Sequence, residues 1–388
     1  MKYNTIQELN LEGKIVAIRT DINVPFEYGF VQDNTRIVES YQTIKFALEK
    51  SAKKIIIIAH FGRPKGKIVP EMSLGHILHE LEKIYGQKVE LSTLENIQNT
   101  KSQIVILENI RFLAGEEKND DDLSKALANI ADFYINDAFG ASHRPHASIS
   151  GIAKYTKVHA GILLQKEIFT IESILENAQK DKICAIIGGS KVSTKIDLLN
   201  NLIHKAKYII LGGGMANTFL YAQGFCVGKS LFEEEFSMVC LEILANAKAA
   251  GTEIIIPQFV AVASQFKNGA EISIKSIKNI QDNDIIVDAS LEHEVETVAQ
   301  SVENILWNGP LGAFEMKTFA CGTESIARII AKYTALGTIS SIIGGGDVVS
   351  AISSFGLANQ MTYISTGGGA FLEFLEGKDL PGISVCKK

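Results

Sequence analysis

The sequence contains little of what directs a chain to a membrane, to nucleic acid or to an oxidising compartment. No apolar run approaches the roughly 18 residues that a membrane-spanning helix needs, and the polar start, MKYNTIQELN, lacks the apolar region of a signal peptide. Lysine and arginine (38) do not outnumber aspartate and glutamate (44), and the net charge of −6 disfavours general nucleic-acid binding. The five cysteines are scattered without a C-x-x-C pair, as expected for reduced thiols. We therefore expect a cytoplasmic protein that binds neither membrane nor nucleic acid.

Length and composition favour two globular domains. A chain of 388 residues is too long for one ordinary hydrophobic core. Hydrophobic residues make up 46 % and charged residues 21 % of the chain, a balance that argues against long disordered segments. No low-complexity linker or repeat of solenoid length marks a boundary, so the boundary has to be sought in the pattern of strands and helices.

Short runs rich in isoleucine and valine alternate with helix-like segments. The predicted strands of the first half are Lys14–Arg19, Lys54–Ala59, Ile104–Leu107 and Phe133–Ile135. Those of the second half are Ile183–Ile187, Tyr208–Leu211, Glu253–Ile256, Ile305–Trp307, Ser340–Ile343 and Thr362–Ile364. This alternation indicates parallel βαβ units and an α/β fold with two doubly wound sheets. The pattern breaks at Ser148–Lys157, and a helical stretch over Ala160–Asn177 is the candidate connection.

Charged and polar clusters follow the predicted strands of the first half. Functional residues of such sheets lie after the carboxyl ends of the strands, where the topology gathers the loops. Arginine forks there would bind the carboxylate and phosphate oxygens of a small anion. For any single arginine a solvated or salt-bridged loop residue is the favoured interpretation, but repetition after four strands favours a shared site. The residues concerned are Asp21, Asn23, Arg36, His60, Arg63, Arg111, Asp137, His143, Arg144 and His146. The pair His143 and His146 lacks a third ligand at zinc-type spacing, so phosphate contact or loop packing is the favoured interpretation.

Glycine clusters follow five strands of the second half. One such loop is explained by a tight turn, but five favour a polyphosphate ligand, because glycine lets backbone N–H groups approach phosphate and helix N-termini attract it. A nucleotide is the expected ligand. Lys191 and Lys195 are suited to phosphate oxygens, Glu315 to ribose hydroxyls, and Asp347 to Mg²⁺ held directly or through water.

Two sequence motifs that bind nucleotides in other proteins, the P-loop and the dinucleotide fingerprint, occur here only in incomplete form. The stretch G-F-C-V-G-K-S at Gly224–Ser230 has three residues between its glycines where the P-loop has four. The stretch G-G-G-M-A-N at Gly212–Asn217 lacks the third glycine of the dinucleotide fingerprint, and no clear acidic residue follows at the required distance. A P-loop enzyme and a Rossmann dehydrogenase are therefore weakly supported.

Nine motifs in order resemble those of the phosphoglycerate kinase family, from about residue 5 to the end of the chain. They are R-T-D-I-N-V-P, A-H-F-G-R-P-K-G, L-E-N-I-R-F, N-D-A-F-G-A-S-H-R-P-H, G-G-S-K-V-S-T-K, G-G-G-M-A-N-T-F, W-N-G-P-L-G-A-F-E, G-G-G-D and S-T-G-G-G-A. The resemblance implies reversible phosphoryl transfer from 1,3-bisphosphoglycerate to ADP, giving 3-phosphoglycerate and ATP, with Mg²⁺, hinge closure and no covalent enzyme intermediate. It implies a monomer.

The resemblance also implies the layout of the chain and of its sites. Two Rossmann-like doubly wound lobes are joined by a helix and hinge: a triose lobe at 1–157, a connecting helix at 158–177, a nucleotide lobe at 178–365 and a tail at 366–388 that packs on the first lobe. The implied triose contacts are Asp21, Asn23, Arg36, His60, Arg63, Arg111 and Arg144. The implied nucleotide contacts are Lys195, Glu315, Gly344, Gly345, Gly346, Asp347 and Val348, with Asp347 toward the metal. Arg36 and Lys191 are implied to act on the phosphoryl group in transfer.

Three departures from the family pattern fall in the nucleotide half. Val348 stands where the family has threonine, which removes one hydroxyl contact to phosphate. Pro257-Gln258-Phe259 replaces a P-x-D sequence, and the turn at Val287–Ser290 is shorter than the D-I-G turn of the family. A catalytically weak relative that acts as a sensor or scaffold is therefore the main alternative, against which the retention of Lys191 and Arg36 argues.

Overall fold

The computed structural model describes residues 2–388, which form two compact units. The N-terminal unit comprises the chain up to Thr170 together with Asp379–Lys388, and the C-terminal unit comprises Ile171–Lys378. The boundary between them falls within one helix. The segmentation expected from the sequence, at residues 157, 177 and 365, stays a prediction.

The N-terminal unit is built around a parallel sheet flanked by helices. Its strands are β1 (Ile15–Thr20), β2 (Phe26–Glu27), β3 (Phe30–Val31), β4 (Lys54–Ile58), β5 (Val89–Ser92), β6 (Ile104–Leu107), β7 (Phe133–Asp137) and β8 (Val158–Ala160). Its helices before the boundary are α1 (Thr35–Glu49), α2 (Leu78–Tyr85), α3 (Asp121–Ala128) and the start of α4 (Ile162–Leu175). The boundary at Thr170 lies in α4.

The order of strands places β1 at the centre of this sheet. The six strands are arranged β5-β6-β4-β1-β7-β8, and β2 and β3 form a separate hairpin. Ile18 of β1 lies opposite Ile57 of β4 on one side and Ile135 of β7 on the other. Because helices cover both faces, these strands are apolar runs rather than alternating ones. The chain extends the sheet on one side of β1 and then returns to the other side, so the carboxyl end of β1 lies at a topological switch point.

Local sequence explains where the helices begin and end. Asp120 caps α3, because its carboxylate accepts a hydrogen bond of 2.9 Å from the backbone N–H of Leu123. Two further acidic residues, Asp121 and Asp122, occupy the first turn, where the helix dipole favours negative charge. Helix α2 ends at Gly86, which has the left-handed backbone (φ +69°) typical of a helix C-terminus.

The C-terminal unit repeats this design and adds an antiparallel sheet. Its strands are β9 (Ile183–Ile187), β10 (Tyr208–Leu211), β11 (Glu253–Ile255), β12 (Phe259–Ala263), β13 (Ile272–Ser276), β14 (Ile285–Ser290), β15 (Asn304–Asn308), β16 (Ser340–Ile343) and β17 (Tyr363–Ile364). Its helices are α5 (Ile196–Leu202), α6 (Gly213–Ala222), α7 (Ser237–Ala249), α8 (Glu292–Ala299), α9 (Cys321–Ala335), α10 (Gly346–Ser354) and α11 (Gly369–Leu375). Helix α12 (Pro381–Ser384) follows in the N-terminal unit.

The second parallel sheet has its own switch point between β9 and β15. Its six strands are arranged β11-β10-β9-β15-β16-β17. Trp307 of β15 is wholly buried against the helices on one face of this sheet. The two six-stranded parallel sheets confirm the predicted α/β doubly wound fold.

Sequence patterns missed several strands for identifiable reasons. Strand β8 has only three residues, and β5 has the mixed sequence V-E-L-S, so neither forms an apolar run. The sheet β13-β12-β14 is antiparallel and was not predicted. Its strand β14 includes Val287–Ser290, which from the sequence alone was interpreted as a turn.

The last residues of the chain are bound to its beginning. The side chain of Asn4 donates hydrogen bonds to the carbonyl oxygens of Cys386 (3.2 Å) and Lys387 (3.1 Å). Asn136, at the carboxyl end of β7, donates one to the carbonyl of Gly382 (2.9 Å). In residues 2–388 no helix is both long and apolar enough to cross a bilayer.

Gly188 is required by close packing of two loops, which gives a test of this fold. A Cβ atom at this position would overlap the carbonyl of Pro310 and lie 2.7 Å from the carbonyl oxygen of Gly309. We expect Gly188→Ala to lower the free energy of unfolding by about 1–3 kcal/mol, since the main chain has to shift. Denaturant unfolding measures this, with Gly346→Ala as the control, because a Cβ there meets open space. Equal stability of both variants would contradict the packing described.

Candidate functional site

The carboxyl edge of the first sheet gathers the loops that follow β1, β4, β6 and β7. Asp21 follows β1, and its two carboxylate oxygens each accept a hydrogen bond of 3.1 Å from Nη1 of Arg36, near the start of α1. The same nitrogen donates to the backbone carbonyl of Asn23 (3.3 Å). The side-chain oxygen of Asn23 in turn accepts the backbone N–H of Gly62 (2.9 Å), which connects the β1 and β4 loops.

Two buried arginines lie in the same region. Arg111, after β6, donates from Nη1 to the carbonyl of Gly62 (2.9 Å). Arg19, on β1 itself, lies with its Nη2 3.2 Å from Nδ1 of His60. Both arginines and His60 are buried, so their charges are only weakly screened by water. The cluster concentrates positive charge at the sheet edge.

Burial and neighbouring charges set the protonation states of this cluster. Burial raises the pKa of Asp21, but the guanidinium of Arg36 and other nearby groups outweigh it and lower the pKa overall, so the carboxylate is ionised. Burial lowers the pKa of His60 well below its usual range, and the charges of Arg19 and Arg111 add to that effect. His60 is therefore neutral near pH 7. Burial also lowers the pKa of Arg111, which stays charged at that pH.

Two of the other predicted basic residues, Arg63 and Arg144, are exposed, whereas His146 is buried. Arg144 is exposed, and its charge acts on Arg111. Arg63 is also exposed and makes no hydrogen bond or ion pair with another described residue. Burial lowers the pKa of His146 to about 4. Within residues 2–388 no group of three or more histidine, cysteine, aspartate or glutamate side chains is arranged to hold a metal ion.

Sequence patterns missed the residues that support this edge from behind. Asn109 accepts the backbone N–H groups of Phe61 and Arg111 and donates to the carbonyls of Phe61 and Met72, so it joins the β4 and β6 loops. Arg19 and Glu116 are wholly buried charged residues. The available signal for Arg19 was a charge inside an apolar strand, which is stable only if it is paired or hydrogen-bonded.

In the C-terminal unit the loops after β9 and β15 lie directly against each other. The backbone N–H of Gly188 donates to the carbonyl of Asn308 (2.9 Å), and that of Gly189 donates to Pro310 (2.9 Å). The side chain of buried Asn308 accepts a hydrogen bond from Nζ of Lys195 and donates one to the carbonyl of Gly344 (2.6 Å). Asn308, which no sequence pattern singled out, thus connects three of the predicted phosphate loops.

The two lysines of the first glycine loop differ in environment. Burial lowers the pKa of Lys195 to about 8, and the carboxylates of Glu376 and Asp347 partly offset that effect. Lys191 is exposed, and its ammonium makes no hydrogen bond or ion pair with the rest of the described chain. The charge of Lys191 acts on the carboxylate of Glu233, and its exposed ammonium is accessible to an anion from solution.

The loop Gly344–Val348 begins helix α10. Gly345 is its N-cap, with φ +107°, and Asp347 is exposed in the first turn. Val348 has no exposed surface and packs in the core of the unit. A ligand at this helix end would meet the backbone N–H of Val348 rather than its side chain.

A cavity of about 660 Å³ lies beside these loops. Its walls include Gly213, Val260, Phe266 and Val287, with Glu315 and Asp347 among the polar residues. An apolar cavity of this size next to backbone N–H groups suits a nucleoside with phosphates. Lys195, Gly344, Gly345, Gly346 and Val348 do not line it but lie in the adjoining loops.

The other two departures from the family pattern, at Pro257-Gln258-Phe259 and Val287–Ser290, lie in strands β12 and β14 or next to them. Phe259 begins β12 and is half exposed, whereas its neighbour Val260 lines the cavity. Asp288 of β14 accepts the backbone N–H groups of Gly322 (2.7 Å) and Thr323 (3.1 Å) and so caps α9. The altered segment thus forms part of the cavity wall instead of an open turn.

The chain has two doubly wound units, one with an arginine-rich sheet edge and one with glycine loops beside a cavity of about 660 Å³. This combination is typical of α/β phosphotransferases. A family model described as phosphoglycerate kinase matches residues 6–378. The chain belongs to the phosphoglycerate kinase family. Members of this family transfer a phosphoryl group reversibly between 1,3-bisphosphoglycerate and ADP, giving 3-phosphoglycerate and ATP in glycolysis, so the chain is a kinase.

Individual relatives agree over their full lengths. The chain is 43 % identical to a phosphoglycerate kinase of Caulobacter vibrioides over 397 aligned positions, which cover 100 % of both chains. It is 44 % identical to one from Ruegeria sp., with 100 % of both chains covered. Among solved structures, phosphoglycerate kinase from Coxiella burnetii is similar with a TM-score of 0.90 at 39 % identity, covering 99 % of this chain and 98 % of that one. The Pyrococcus horikoshii enzyme has a TM-score of 0.83 at 27 % identity, with the same coverage.

The charge coupling between Asp347 and Lys195 gives a test of the second site. Because the carboxylate of Asp347 stabilises the ammonium of Lys195, we expect Asp347→Asn to lower the pKa of Lys195 further below about 8. NMR titration of the lysine ζ-amino group in the nucleotide-free protein measures it. Asp282→Asn is the control, since Asp282 is an exposed carboxylate of the same unit that does not act on Lys195. An unchanged or raised pKa in Asp347→Asn would refute the coupling.

Proposed function

We propose that this chain carries out the phosphoryl transfer of its family with the two half-sites described above. The N-terminal unit binds 3-phosphoglycerate or 1,3-bisphosphoglycerate, and the C-terminal unit binds ATP or ADP. The observation that supports this most is the gathering of Arg36, His60 and Arg111 at one sheet edge, because arginine forks bind phosphate and carboxylate oxygens bidentately.

Each predicted site residue has a role in this proposal. Asp21 orients Arg36, and neutral His60 offers a hydrogen bond without adding charge. The triose contacts are Asp21, Asn23, Arg36, His60, Arg63, Arg111 and Arg144. The nucleotide contacts are Lys195, Glu315, Gly344, Gly345, Gly346, Asp347 and Val348, the last through its backbone N–H.

Asp347 fits the needs of a magnesium ion that accompanies the nucleotide. Its carboxylate is exposed, lines the cavity and makes no hydrogen bond or ion pair within the described chain. Magnesium commonly takes one or two carboxylates and completes its shell with phosphate oxygens and water. We propose Asp347 as its protein ligand; when bound, the ion neutralises charge on the nucleotide phosphates.

The mechanism requires positioning and charge stabilisation rather than acid–base chemistry. The carboxylate oxygen of 3-phosphoglycerate attacks when ATP is the donor, and it leaves when ADP is the acceptor. Because this carboxylate and the ADP phosphate are already ionised, no general base is needed, and no covalent enzyme intermediate is formed. Lys191 and Arg36 stabilise the negative charge on the transferring group, together with backbone N–H groups of the glycine loops. Direct transfer also requires the two substrates to meet, and hinge closure, which excludes water, stays a prediction.

The proposal also covers the cellular compartment and the oligomeric state of the enzyme. We propose that it works as a cytoplasmic monomer. Its exposed cysteines, Cys226 and Cys321, are unpaired thiols, which suits a reducing compartment. Sedimentation analysis measures the state of assembly.

A coupled assay with 3-phosphoglycerate, ATP and Mg²⁺ tests the function itself. We expect turnover on the order of 1–10³ s⁻¹, the range of ordinary enzymes. Binding of both substrates without turnover above background would favour a sensor, and NADH binding without ADP binding would favour a dehydrogenase. Either result would overturn the proposal.

Removal of the free ammonium of Lys191 tests the mechanism. Because we expect its contact to strengthen in the transition state, Lys191→Ala should lower kcat by about 10²–10³-fold and change the KM for ATP far less. Steady-state kinetics with both substrates measures the two effects. Lys248→Ala, which removes an exposed lysine of α7, is the control and should leave both constants unchanged. A loss confined to KM would exclude the role proposed for Lys191.

A further inference from the structure

A row of buried polar side chains leads from behind the arginine-rich edge to His60, and its other three members have no part in the chemistry described so far. It consists of Glu116, Ser148, Arg19 and His60. The first three have no exposed surface, and His60 is 6 % exposed. Buried donors and acceptors need partners, so the direction of each hydrogen bond in the row can be worked out.

Glu116 begins the row as an acceptor with both oxygens in use. Its Oε2 accepts the backbone N–H of Ser148 (3.0 Å), and its Oε1 accepts the Ser148 hydroxyl (2.6 Å). Since a serine has one hydroxyl hydrogen, the oxygen of Ser148 is left to accept the Nε–H of Arg19 (2.9 Å). His146 competes little for the carboxylate, because its Nδ1 lies 3.7 Å from Oε1, beyond hydrogen-bond distance.

The hydrogen bond from Arg19 determines which ring nitrogen of His60 carries the proton. A guanidinium has only donors, so its Nη2–H points at Nδ1 of His60, 3.2 Å away. The Nδ1 atom must then carry the lone pair, and the ring proton lies on Nε2. Arg19 is also held through Nη1 by the carbonyl of Thr20 (2.5 Å), which fixes the guanidinium plane. The other charges that act on His60 are those of Asp21, Arg111 and Arg36.

We propose that Glu116 is a positioning residue which, through Ser148 and Arg19, holds His60 as the neutral tautomer with its proton on Nε2. In that form His60 is a hydrogen-bond donor toward an anionic ligand. The link to 3-phosphoglycerate rests on the proposed function, whereas the tautomer itself does not. Sequence patterns could not find this row, because its members come from β1 and from the segments after β4, β6 and β7.

Nitrogen-15 NMR of the His60 ring tests the proposal directly in the substrate-free enzyme. In the unmodified protein near pH 7 we expect Nε2 to be protonated and Nδ1 to be unprotonated. Ser148→Ala removes the hydroxyl that joins Glu116 to Arg19 while keeping both charges, so a second tautomer with the proton on Nδ1 should become populated. Ser124→Ala is the matched control: it also removes a wholly buried serine hydroxyl of this unit, but one bonded to the backbone carbonyl of Asp120.

Glu116→Gln is the second variant, since it keeps the shape of the side chain. The two hydrogen bonds from Ser148 go to different oxygens of Glu116. In glutamine one of these positions is an NH2 group, which donates and does not accept, so one of the two bonds loses its acceptor and the same change of tautomer is expected. In both variants the KM for 3-phosphoglycerate should rise about tenfold, as for the loss of one charge-assisted hydrogen bond. The KM for ATP should stay unchanged, as should both constants in Ser124→Ala.

Three results would overturn the proposal. The first is a proton on Nδ1 of His60 in the unmodified protein. The second is an unchanged tautomer in both Ser148→Ala and Glu116→Gln, even if their melting temperatures fall, which would leave only a structural role. The third is an altered tautomer with an unchanged KM for 3-phosphoglycerate. An unmodified enzyme without turnover would instead overturn the proposed function, because the tautomer is measured without substrate.

Discussion

Parallel strands place all their carboxyl ends at one edge of a sheet, and both half-sites of this chain depend on that constraint. In the N-terminal unit the edge brings Asp21 and Arg36 together with His60 and Arg111, although these residues are spread over much of the first third of the sequence. In the C-terminal unit the loops after β9 and β15 meet for the same reason, because their strands are direct neighbours. Residues distant in sequence thereby come together on one surface, which we propose binds the substrates.

Positively charged side chains gathered at such an edge need buried partners that satisfy their hydrogen bonds and their charge. Arg19 is buried within the sheet and is stable there because Ser148, Thr20 and the carboxylate of Glu116 satisfy its donors and its charge. Burial keeps His60 neutral amid the arginines, so this histidine does not add one more like charge to the cluster. The burial of Arg19, its hydrogen bonds and the neutral state of His60 thus depend on one another.

The second proposed half-site depends on the close approach of main chains as well as on the charges of Lys191, Lys195 and Asp347. The main chains at Gly188 and Gly309 lie so near each other that a Cβ on either would overlap the other loop. Asn308 then connects Lys195 to the loop at Gly344, so one buried amide orients groups from three loops. This half-site carries the departures from the family pattern. The wholly buried Val348 side chain leaves only its backbone for a phosphate.

The sequence by itself determined the fold class, because buried parallel strands such as Ile183–Ile187 are continuous apolar runs, and it determined the candidate residues that follow them. It also pointed to the family through nine ordered motifs. Only the tertiary structure decided that Glu116 and Ser148 support Arg19, that Asn308 joins three loops, and that residues of the antiparallel strands β12 and β14 line the cavity. The reason is physical: these functions arise from hydrogen bonds and packing between distant segments, which leave no local periodicity in the chain.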